Sequence, residues 1–225
     1  MKKINPELSQ KFLKEIKNQK SEIVDIDGVK IKTCKNVFPP RSNFSRTSEK
    51  LHIIFGDLKG LAVLDVGTGT GVQTIQAVIR GARKAVGLDI NPEAVSCAKE
   101  NIELNCVKSE ATILQSDLFS ALKLDEKFDI VIANLPITDY PIEGIVESSL
   151  YDPEYRLHRR FFAEVGKHLT STGIIIMTHI NFKGTSDFEK FEKMVSKYGY
   201  KIERFIEIED IGHLWRMYRI KPNTV

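Results

Sequence analysis

Apolar positions along the chain switch between two spacings, which predict strands and helices in alternation. Short apolar runs at Ala62–Val66, Lys84–Ile90, Ala111–Gln115, Phe128–Ala133 and Ile174–Met177 have the length of strands. Between them, apolar residues recur every three or four positions, as on one face of a helix. Five such alternations predict a parallel sheet covered by helices on both faces.

Caps and apolar spacing predict where the intervening helices begin and end. Asn91-Pro92 starts one helix, and Asp152-Pro153 starts another that Gly173 ends. Further helices are predicted around residues 47–58 and 187–198. The strand from Ile174 would then follow Gly173 directly.

The two ends of the chain follow other patterns. Asn5-Pro6 starts a short helix on which Leu8, Phe12 and Ile16 share a face, and Asp27-Gly28 predicts a hairpin over Glu22–Lys32. Residues 36–51, with prolines at 39 and 40, form a linker or lid. Residues 200–209 and 213–220 alternate as an antiparallel strand pair at the edge of the sheet. We therefore divide the chain into an extension, residues 1–50, and an α/β domain, residues 51–225.

A run of glycines and threonines after the first predicted strand is the strongest local signal. Residues 62–71 read Ala-Val-Leu-Asp-Val-Gly-Thr-Gly-Thr-Gly. Glycines 67, 69 and 71 have no Cβ, so the backbone can bend sharply and a ligand can approach main-chain N–H groups at a helix start. An ordinary tight turn is the alternative, which three alternating glycines after the carboxylate of Asp65 disfavour.

Polar residues follow four of the predicted strands. Ligands of open α/β sheets bind at the carboxyl ends of strands, and these ends carry Asp65–Gly71, Asp89, Asp117 and Asn134. Asp89 lies 18 positions after Gly71, where a carboxylate can accept both hydroxyls of a ribose. A nucleoside site is predicted; for Asp89 by itself, a solvated acid is the alternative.

The spacing of the glycines indicates which nucleoside is bound. Dinucleotide folds use G-x-G-x-x-G, whereas this chain has G-x-G-x-G. Asp65 would repel a diphosphate and attract a cationic amino acid. With the terminal strand pair, residues 61–220 resemble a class I S-adenosylmethionine-dependent methyltransferase, and a nicotinamide oxidoreductase is disfavoured.

This resemblance implies a Rossmann-like fold with a seven-stranded, mostly parallel sheet and S-adenosylmethionine as cofactor. Asp65, Gly67 and Gly69 would border the methionine part, Asp89 the ribose and Ile90 the adenine, with Asp117 and Leu118 near the adenine amino edge. The predicted cofactor site comprises Asp65, Gly67, Thr68, Gly69, Gly71, Asp89, Ile90, Asp117, Leu118 and Asn134.

The tetrapeptide Asn134-Leu135-Pro136-Ile137 narrows the reaction. By position it resembles the Asn-Pro-Pro-Tyr segment of enzymes that methylate planar nitrogens of adenine, guanine or glutamine. Such a nitrogen is a poor nucleophile, and two acceptors, the Asn134 side-chain oxygen and the Leu135 carbonyl, would orient its lone pair. We predict Asn134, Leu135 and Pro136 as catalytic residues. Residues 37–41 and 47–51 are similar to the segment that precedes the motif in release-factor glutamine methyltransferases and their small-domain relatives.

Ile137 stands where the family has an aromatic residue that would stack on a planar acceptor. Stacking on an aromatic side chain contributes about 1–3 kcal/mol per base. The absence of an aromatic residue at position 137 therefore disfavours methylation of a nucleic-acid base that is turned out of its helix. A following tyrosine could supply a ring: Tyr140, Tyr151 or Tyr155. His158 is predicted on an exposed helix face together with Arg156, Arg159 and Arg160, and His179 is predicted to be structural.

Composition adds few constraints. The net charge of +3 does not indicate nucleic acid, although residues 1–20 hold six lysines against two glutamates. A solvated helix face explains these lysines better than a patch for an acidic partner. Cys34, Cys97 and Cys106 indicate neither a disulfide nor a zinc site. Without an apolar run of membrane-spanning length, we expect a soluble cytoplasmic protein with no membrane partner and no metal.

The sequence therefore predicts an S-adenosylmethionine-dependent N-methyltransferase that acts on an amide or amino nitrogen of a glutamine-like protein acceptor. The alternatives are methylation of an RNA or DNA base or of a small molecule, and a binding subunit that keeps the fold without catalysis. The sequence does not indicate an oligomeric state. The basic first helix and residues 36–51 would border the acceptor.

Overall fold

The computed structural model describes residues 6–42, 45–181 and 187–223. Within these ranges the α-helices are α1 Pro6–Lys17, α2 Thr47–Lys50, α3 Val72–Ile79, α4 Pro92–Leu104, α5 Arg156–Glu164 and α6 Asp187–Lys197. The strands are β1 Ile23–Ile26, β2 Val29–Lys32, β3 Ala62–Val66, β4 Lys84–Asp89, β5 Ala111–Gln115, β6 Phe128–Ala133, β7 Leu169–Asn181, β8 Tyr200–Asp210 and β9 His213–Pro222.

Seven strands form one sheet in the order β5-β4-β3-β6-β7-β9-β8. The pairs among β3 to β7 are parallel, whereas β9 runs antiparallel to both β7 and β8. The chain leaves β3 toward one edge and returns through β6 on its other side, which places a switch in strand order between β3 and β6. The predicted seven-stranded sheet with its terminal antiparallel pair is confirmed, as are the first helix and the hairpin.

Apolar side chains on both faces explain why the central strands lie inside. All five residues of β3 are buried, as expected for a parallel strand with helices on either side. On one face, Leu64 packs in a cluster with Phe161 and Phe191. On the other face, Val63 packs in a cluster with Leu51.

The hairpin of β1 and β2 packs on α3 and α4 through an apolar cluster that includes Ile26 and Ile31. The Asn101 side chain in α4 accepts from the backbone N–H of Lys32 at 2.7 Å and donates to its carbonyl at 2.9 Å. It also donates to the carbonyl of Thr70 at 2.9 Å. The buried amide of Asn101 thus links the hairpin to the glycine turn. The division of the chain into an extension and a domain near residue 50 stays a prediction.

Three predicted element boundaries are wrong. The helix predicted to start at Asp152-Pro153 begins as α5 at Arg156, because Glu154 and Tyr155 have positive φ and interrupt it. Gly173 does not end a helix but lies inside β7. A Cβ on Gly173 would lie 3.0 Å from the Phe128 carbonyl oxygen, so the close approach of the backbone explains why a glycine occurs within this strand. The helix predicted over residues 47–58 is only α2 plus one 3-10 turn, Leu51–Ile54. Gly56, with φ of 80°, lies just beyond that turn. Asn5, the predicted cap of α1, lies outside the described residues.

A disulfide joins Cys34 to Cys97, which corrects the prediction that the cysteines form none. Their Cα atoms are 6.1 Å apart although 63 residues separate them in the chain. The pairing depends on the packing of the hairpin against α4, and the spacing of cysteines cannot reveal such a contact. The bond ties the segment after β2 to α4; Cys106 is free and exposed.

We expect Cys34→Ser to lower the free energy of unfolding by about 2–4 kcal/mol, because the bond removes loop entropy from the unfolded chain. Urea unfolding of the oxidised protein measures the effect. Cys106→Ser is the matched control, since it removes an exposed free thiol. Equal stability of the wild type with and without a reductant would contradict this expectation.

Candidate active site

A cavity of about 820 Å³ opens at the carboxyl ends of β3, β4, β5 and β6. It receives side chains from the N-terminal segment as well, among them Phe38 and Ser48. The predicted site residues that line it are Asp65, Gly67, Thr68, Gly69, Asp89, Ile90, Asp117, Leu118, Asn134, Leu135 and Pro136.

Gly71 is the one predicted site residue that does not line this cavity. It precedes α3 with φ of 83°, and a Cβ there would lie 3.1 Å from the Cβ of Ala98. Its role is to let α3 approach α4. Gly67 and Gly69 also have positive φ, but a Cβ on Gly69 would meet no atom closer than 4.0 Å, so this side of the turn is open.

The carboxylate of Asp65 is held inside the protein below the glycine turn. Its Oδ2 accepts from the hydroxyls of Thr68 at 2.6 Å and Thr74 at 2.9 Å, and from the Thr74 backbone N–H at 3.2 Å. Burial raises the pKa of Asp65 from 3.8 to about 6, although these hydrogen bonds oppose the shift. Asp65 therefore still holds part of its proton at a pH where an ordinary aspartate is fully charged.

We expect Asp65 to make the fold less stable as the pH rises. Its pKa is higher in the folded state, so its stabilising contribution is complete below pH 4 and is lost as the pH passes about 6. The full loss relative to Asp65→Asn is about 3 kcal/mol, of which about 2 kcal/mol falls between pH 4 and pH 7. Chemical unfolding of both proteins between pH 4 and pH 7 measures the difference, and a constant difference would contradict the expectation.

Asp89 joins the glycine turn to the start of α4. Its Oδ2 accepts from the Gly69 N–H at 2.8 Å and its Oδ1 from the Asn91 N–H at 2.9 Å. Burial raises the pKa of this carboxyl group while the backbone N–H groups oppose the shift. Each oxygen has spare acceptor capacity, so Asp89 is a fixed acceptor pair rather than a solvated acid.

Asp117 forms a two-point ion pair with Arg160 of α5, through distances of 3.1 and 3.0 Å. Both side chains are about half exposed, and both residues line the cavity. Ile90, which follows Asp89 in the chain and also lines the cavity, is 43% exposed. An exposed apolar side chain here provides a surface for a flat ring.

The Asn134 side chain is held at both ends. Its Oδ1 accepts from the hydroxyl of Thr178 in β7 at 2.5 Å, and its Nδ2 donates to the hydroxyl of Ser48 at 2.9 Å. The Gln73 side chain donates in turn to the Ser48 carbonyl at 2.6 Å. The network fixes the plane of the Asn134 amide between two hydroxyls, with the oxygen toward Thr178 and the nitrogen toward Ser48.

Sequence reasoning missed Gln73, whose Oε1 is buried without a hydrogen-bond partner while the residue lines the cavity. A glutamine among the apolar positions of α3 was the available signal. It also missed Trp215, which lines the cavity from β9 and is the only tryptophan of the chain.

His158 is fully buried, so its prediction as an exposed residue is wrong. Asp152 accepts from the backbone N–H groups of Leu157 and His158, and its Oδ2 lies 2.6 Å from His158 Nδ1. The carboxylate thereby turns the ring inward, whereas Arg156, Arg159 and Arg160 lie on the exposed side. The ring of His179 is stacked on the ring of Phe191, with 4.5 Å between the ring centroids. Burial holds the pKa of His179 well below the usual range.

Of the three tyrosines predicted to supply a ring, Tyr151 lines the cavity. The ring of Tyr140 packs against the ring of Tyr151, with 5.1 Å between the ring centroids. Tyr155 points elsewhere, with its hydroxyl 3.2 Å from His179 Nε2. Tyr151 also packs in a cluster with Phe12 and Ile16 of α1. The first helix therefore lies next to this end of the cavity.

Neither a metal site nor a membrane span is found in the described ranges. No three His, Cys, Asp or Glu side chains of residues 6–42, 45–181 and 187–223 are placed to hold a metal ion. No helix in the same ranges is long and apolar enough to cross a membrane.

Known proteins resemble this chain in sequence and in fold. The family model of the ribosomal protein L11 methyltransferase matches residues 50–148. A Methanocaldococcus jannaschii protein named "Putative protein N5-glutamine methyltransferase" is 31% identical over 187 residues, which cover 80% of this chain and 89% of that protein. The chain belongs to the class I S-adenosylmethionine-dependent methyltransferases.

Other methyltransferases match over part of their length. The ribosomal protein L11 methyltransferase of Anoxybacillus flavithermus is 42% identical over 77 residues, or 34% of this chain and 24% of that enzyme. The chain therefore spans about a quarter of that relative. The crystal structure of the M. jannaschii tRNA m1G37 methyltransferase has a TM-score of 0.66 at 22% identity, over 92% of this chain and 58% of that one. That likeness shows the shared fold.

The cavity of this methyltransferase suits S-adenosylmethionine, its cofactor. The open side of Gly69 leaves room for a ligand against the turn. We propose that the two oxygens of Asp89 accept from the ribose hydroxyls and that the exposed side chain of Ile90 packs on one face of the adenine. The unpartnered Gln73 Oε1 is an acceptor that an ammonium group of the ligand could satisfy.

Proposed function

We propose that this methyltransferase transfers the methyl group of S-adenosylmethionine to the nitrogen of a carboxamide, such as a glutamine side chain of a protein. The observation that carries the proposal is the fixed amide of Asn134 at the end of β6, in the cavity that also contains Asp89. Leu135 and Pro136 follow it along the wall of this cavity.

A carboxamide nitrogen needs orientation rather than a strong base. Its lone pair is delocalised into the carbonyl group, so the nitrogen attacks well only when the lone pair is directed at the methyl group. The cofactor would supply that methyl group as an electrophile on a sulfonium. As the N–CH3 bond forms, the S–CH3 bond breaks, S-adenosylhomocysteine leaves, and the methylated nitrogen gives up one proton to solvent. Asn134 Oδ1 and the Leu135 carbonyl would each accept one N–H bond of the acceptor and hold it in line.

The hydrogen bonds around Asn134 support this role. Nδ2 donates to the Ser48 hydroxyl, which holds the plane of the amide at its nitrogen end. Thr178 uses one lone pair of Oδ1 and leaves the second for an acceptor N–H. Asn134, Leu135 and Pro136 are therefore the proposed catalytic residues, with Ser48 and Thr178 as positioning residues.

Similarity supports a protein acceptor. The relative that the chain covers over 89% of its length is named as a protein N5-glutamine methyltransferase. The apolar wall at the acceptor end, which includes Ile137 and Leu150, suits a side chain better than a phosphate-bearing nucleotide. An RNA acceptor is the alternative that the experiment must separate.

Transfer of a tritiated methyl group from S-adenosylmethionine into fractionated cell extract tests the proposal. We expect labelled product that protease destroys and nuclease does not, and N-methylglutamine after complete enzymatic digestion. Nuclease-sensitive label would favour the RNA alternative. Label recovered on a lysine or a terminal amine would overturn the carboxamide assignment.

We also propose that the protein works in the cytoplasm, because several relatives are named for a ribosomal protein. Disulfides are rare in that compartment, so the Cys34–Cys97 pair would be reduced there for part of the time. Thiol alkylation in intact cells followed by mass spectrometry measures this. Complete oxidation of the pair in growing cells would argue for another location.

A further inference from the structure

The indole N–H of Trp215 has no hydrogen-bond acceptor among the residues that the structure describes. The residue is 3% exposed, and its Nε1–H has no hydrogen-bond partner. Buried tryptophan N–H groups usually have a partner, and an unsatisfied donor costs about 1–3 kcal/mol. Because Trp215 lines the cavity, a ligand in the cavity is a candidate for that partner.

The position of Trp215 in the sheet places it at the acceptor end. Trp215 pairs with Ile180 across β9 and β7, so the two side chains share one face of the sheet. Thr178, two residues before Ile180, is on the same face, and its hydroxyl holds Asn134. Trp215 and Ile180 also pack in one cluster with Ile137. The indole and the Asn134 amide thus border the same part of the cavity.

We propose that Trp215 Nε1–H donates a hydrogen bond to the carbonyl oxygen of the acceptor carboxamide. The inference rests on the proposed function and specifies its acceptor. A carboxamide offers two N–H donors and one oxygen, which complement the Asn134 and Leu135 acceptors and the Trp215 donor. A primary amine has no oxygen for the indole, and a carboxylate has no N–H for Asn134.

The chemistry predicts that Trp215 acts in selection rather than in activation. A hydrogen bond to the carbonyl oxygen draws electron density from the amide nitrogen, so it does not make that nitrogen more nucleophilic. The bond instead determines which class of acceptor stays bound and which way round it lies. Its loss should therefore appear in KM more than in kcat.

Trp215→Phe tests the proposal because it keeps an aromatic ring and removes the donor. With the acceptor fraction from extract as substrate, we expect KM to rise about 2- to 12-fold, the effect of one hydrogen bond of 0.5–1.5 kcal/mol. Calorimetric binding of S-adenosylhomocysteine should be unchanged. Leu214→Val is the matched control on the opposite face of β9. An unchanged KM in Trp215→Phe would overturn the proposal.

A second measurement uses the wild type and needs no variant to fold. The single tryptophan gives a single indole N–H signal in a ¹⁵N-correlation spectrum. With S-adenosylhomocysteine bound, saturating propanamide should move this signal downfield, whereas propylamine should not. The backbone N–H signal of Leu135, a residue that also lines the acceptor end, is followed in the same titration. If the indole signal does not move, the proposal is overturned, whether or not the Leu135 signal moves.

The two proposals fail in different ways. If the methylated atom proves to be an amine or a base nitrogen, the proposed function fails, and with it the role of Trp215. If the product is N-methylglutamine but Trp215→Phe has an unchanged KM and the indole signal is insensitive to propanamide, only the role of Trp215 fails.

Discussion

Asn134→Ala is expected to lower kcat by roughly 100- to 1,000-fold, the scale of losing one preorganised polar group at a reacting centre. The change removes the side-chain oxygen that would hold an acceptor N–H, together with the bonds to Ser48 and Thr178. It does not touch the Asp89 carboxylate or the glycine turn. Cofactor affinity should therefore remain close to that of the wild type.

Radiolabelled methyl transfer and calorimetry with S-adenosylhomocysteine together measure this outcome. Asn18→Ala is the matched control, because Asn18 is exposed at the end of α1 and its side chain donates to the nearby Lys14 carbonyl. Ser48→Ala should produce a smaller loss, since it releases one end of the Asn134 amide and keeps its oxygen. Wild-type turnover in Asn134→Ala would remove this residue from the reaction.

Asp89→Ala is expected to weaken S-adenosylhomocysteine binding by roughly 100-fold or more, since a hydrogen bond to a charged group contributes about 1.5–3 kcal/mol and a ribose offers two hydroxyls. The substitution also frees the N–H groups of Gly69 and Asn91, which the carboxylate now holds. The glycine turn would then lose its anchor as well as its ribose acceptor.

Calorimetric titration of Asp89→Ala and of Asp125→Ala gives the comparison. Asp125 lies in the exposed loop before β6 and does not line the cavity. The control should bind like the wild type. If Asp89→Ala gives the same heat and the same Kd as the wild type, the assignment of Asp89 to the ribose is wrong.

The architecture of the sheet could be predicted because its information is local. Five buried strands, each with a helical pattern behind it, allow few arrangements, and parallel strands bring their carboxyl ends to one edge. Asp65, Asp89, Asp117 and Asn134 therefore meet around one cavity, as predicted. Gly71 followed the same pattern, yet it faces Ala98 because the third glycine already belongs to the start of α3.

The contacts that could not be predicted join segments far apart in the chain. Ser48 meets Asn134 across 86 positions, and Cys34 meets Cys97 across 63. Nothing in the local sequence of either partner identifies the other. His158 illustrates the same limit at short range, since three neighbouring arginines suggested exposure while the carboxylate of Asp152 held the ring inside.

The contact between Gly71 and Ala98 has a consequence for sequence variation in the family. A Cβ on Gly71 would lie 3.1 Å from that of Ala98, so the two helices approach until only a small side chain fits on either side. The residue at position 98 is therefore limited in size by Gly71, whereas any side chain at position 71 is also strained by its φ of 83°. Relatives that keep the third glycine should keep alanine, serine or glycine at the position of Ala98, and a larger residue there should coincide with a displaced α4.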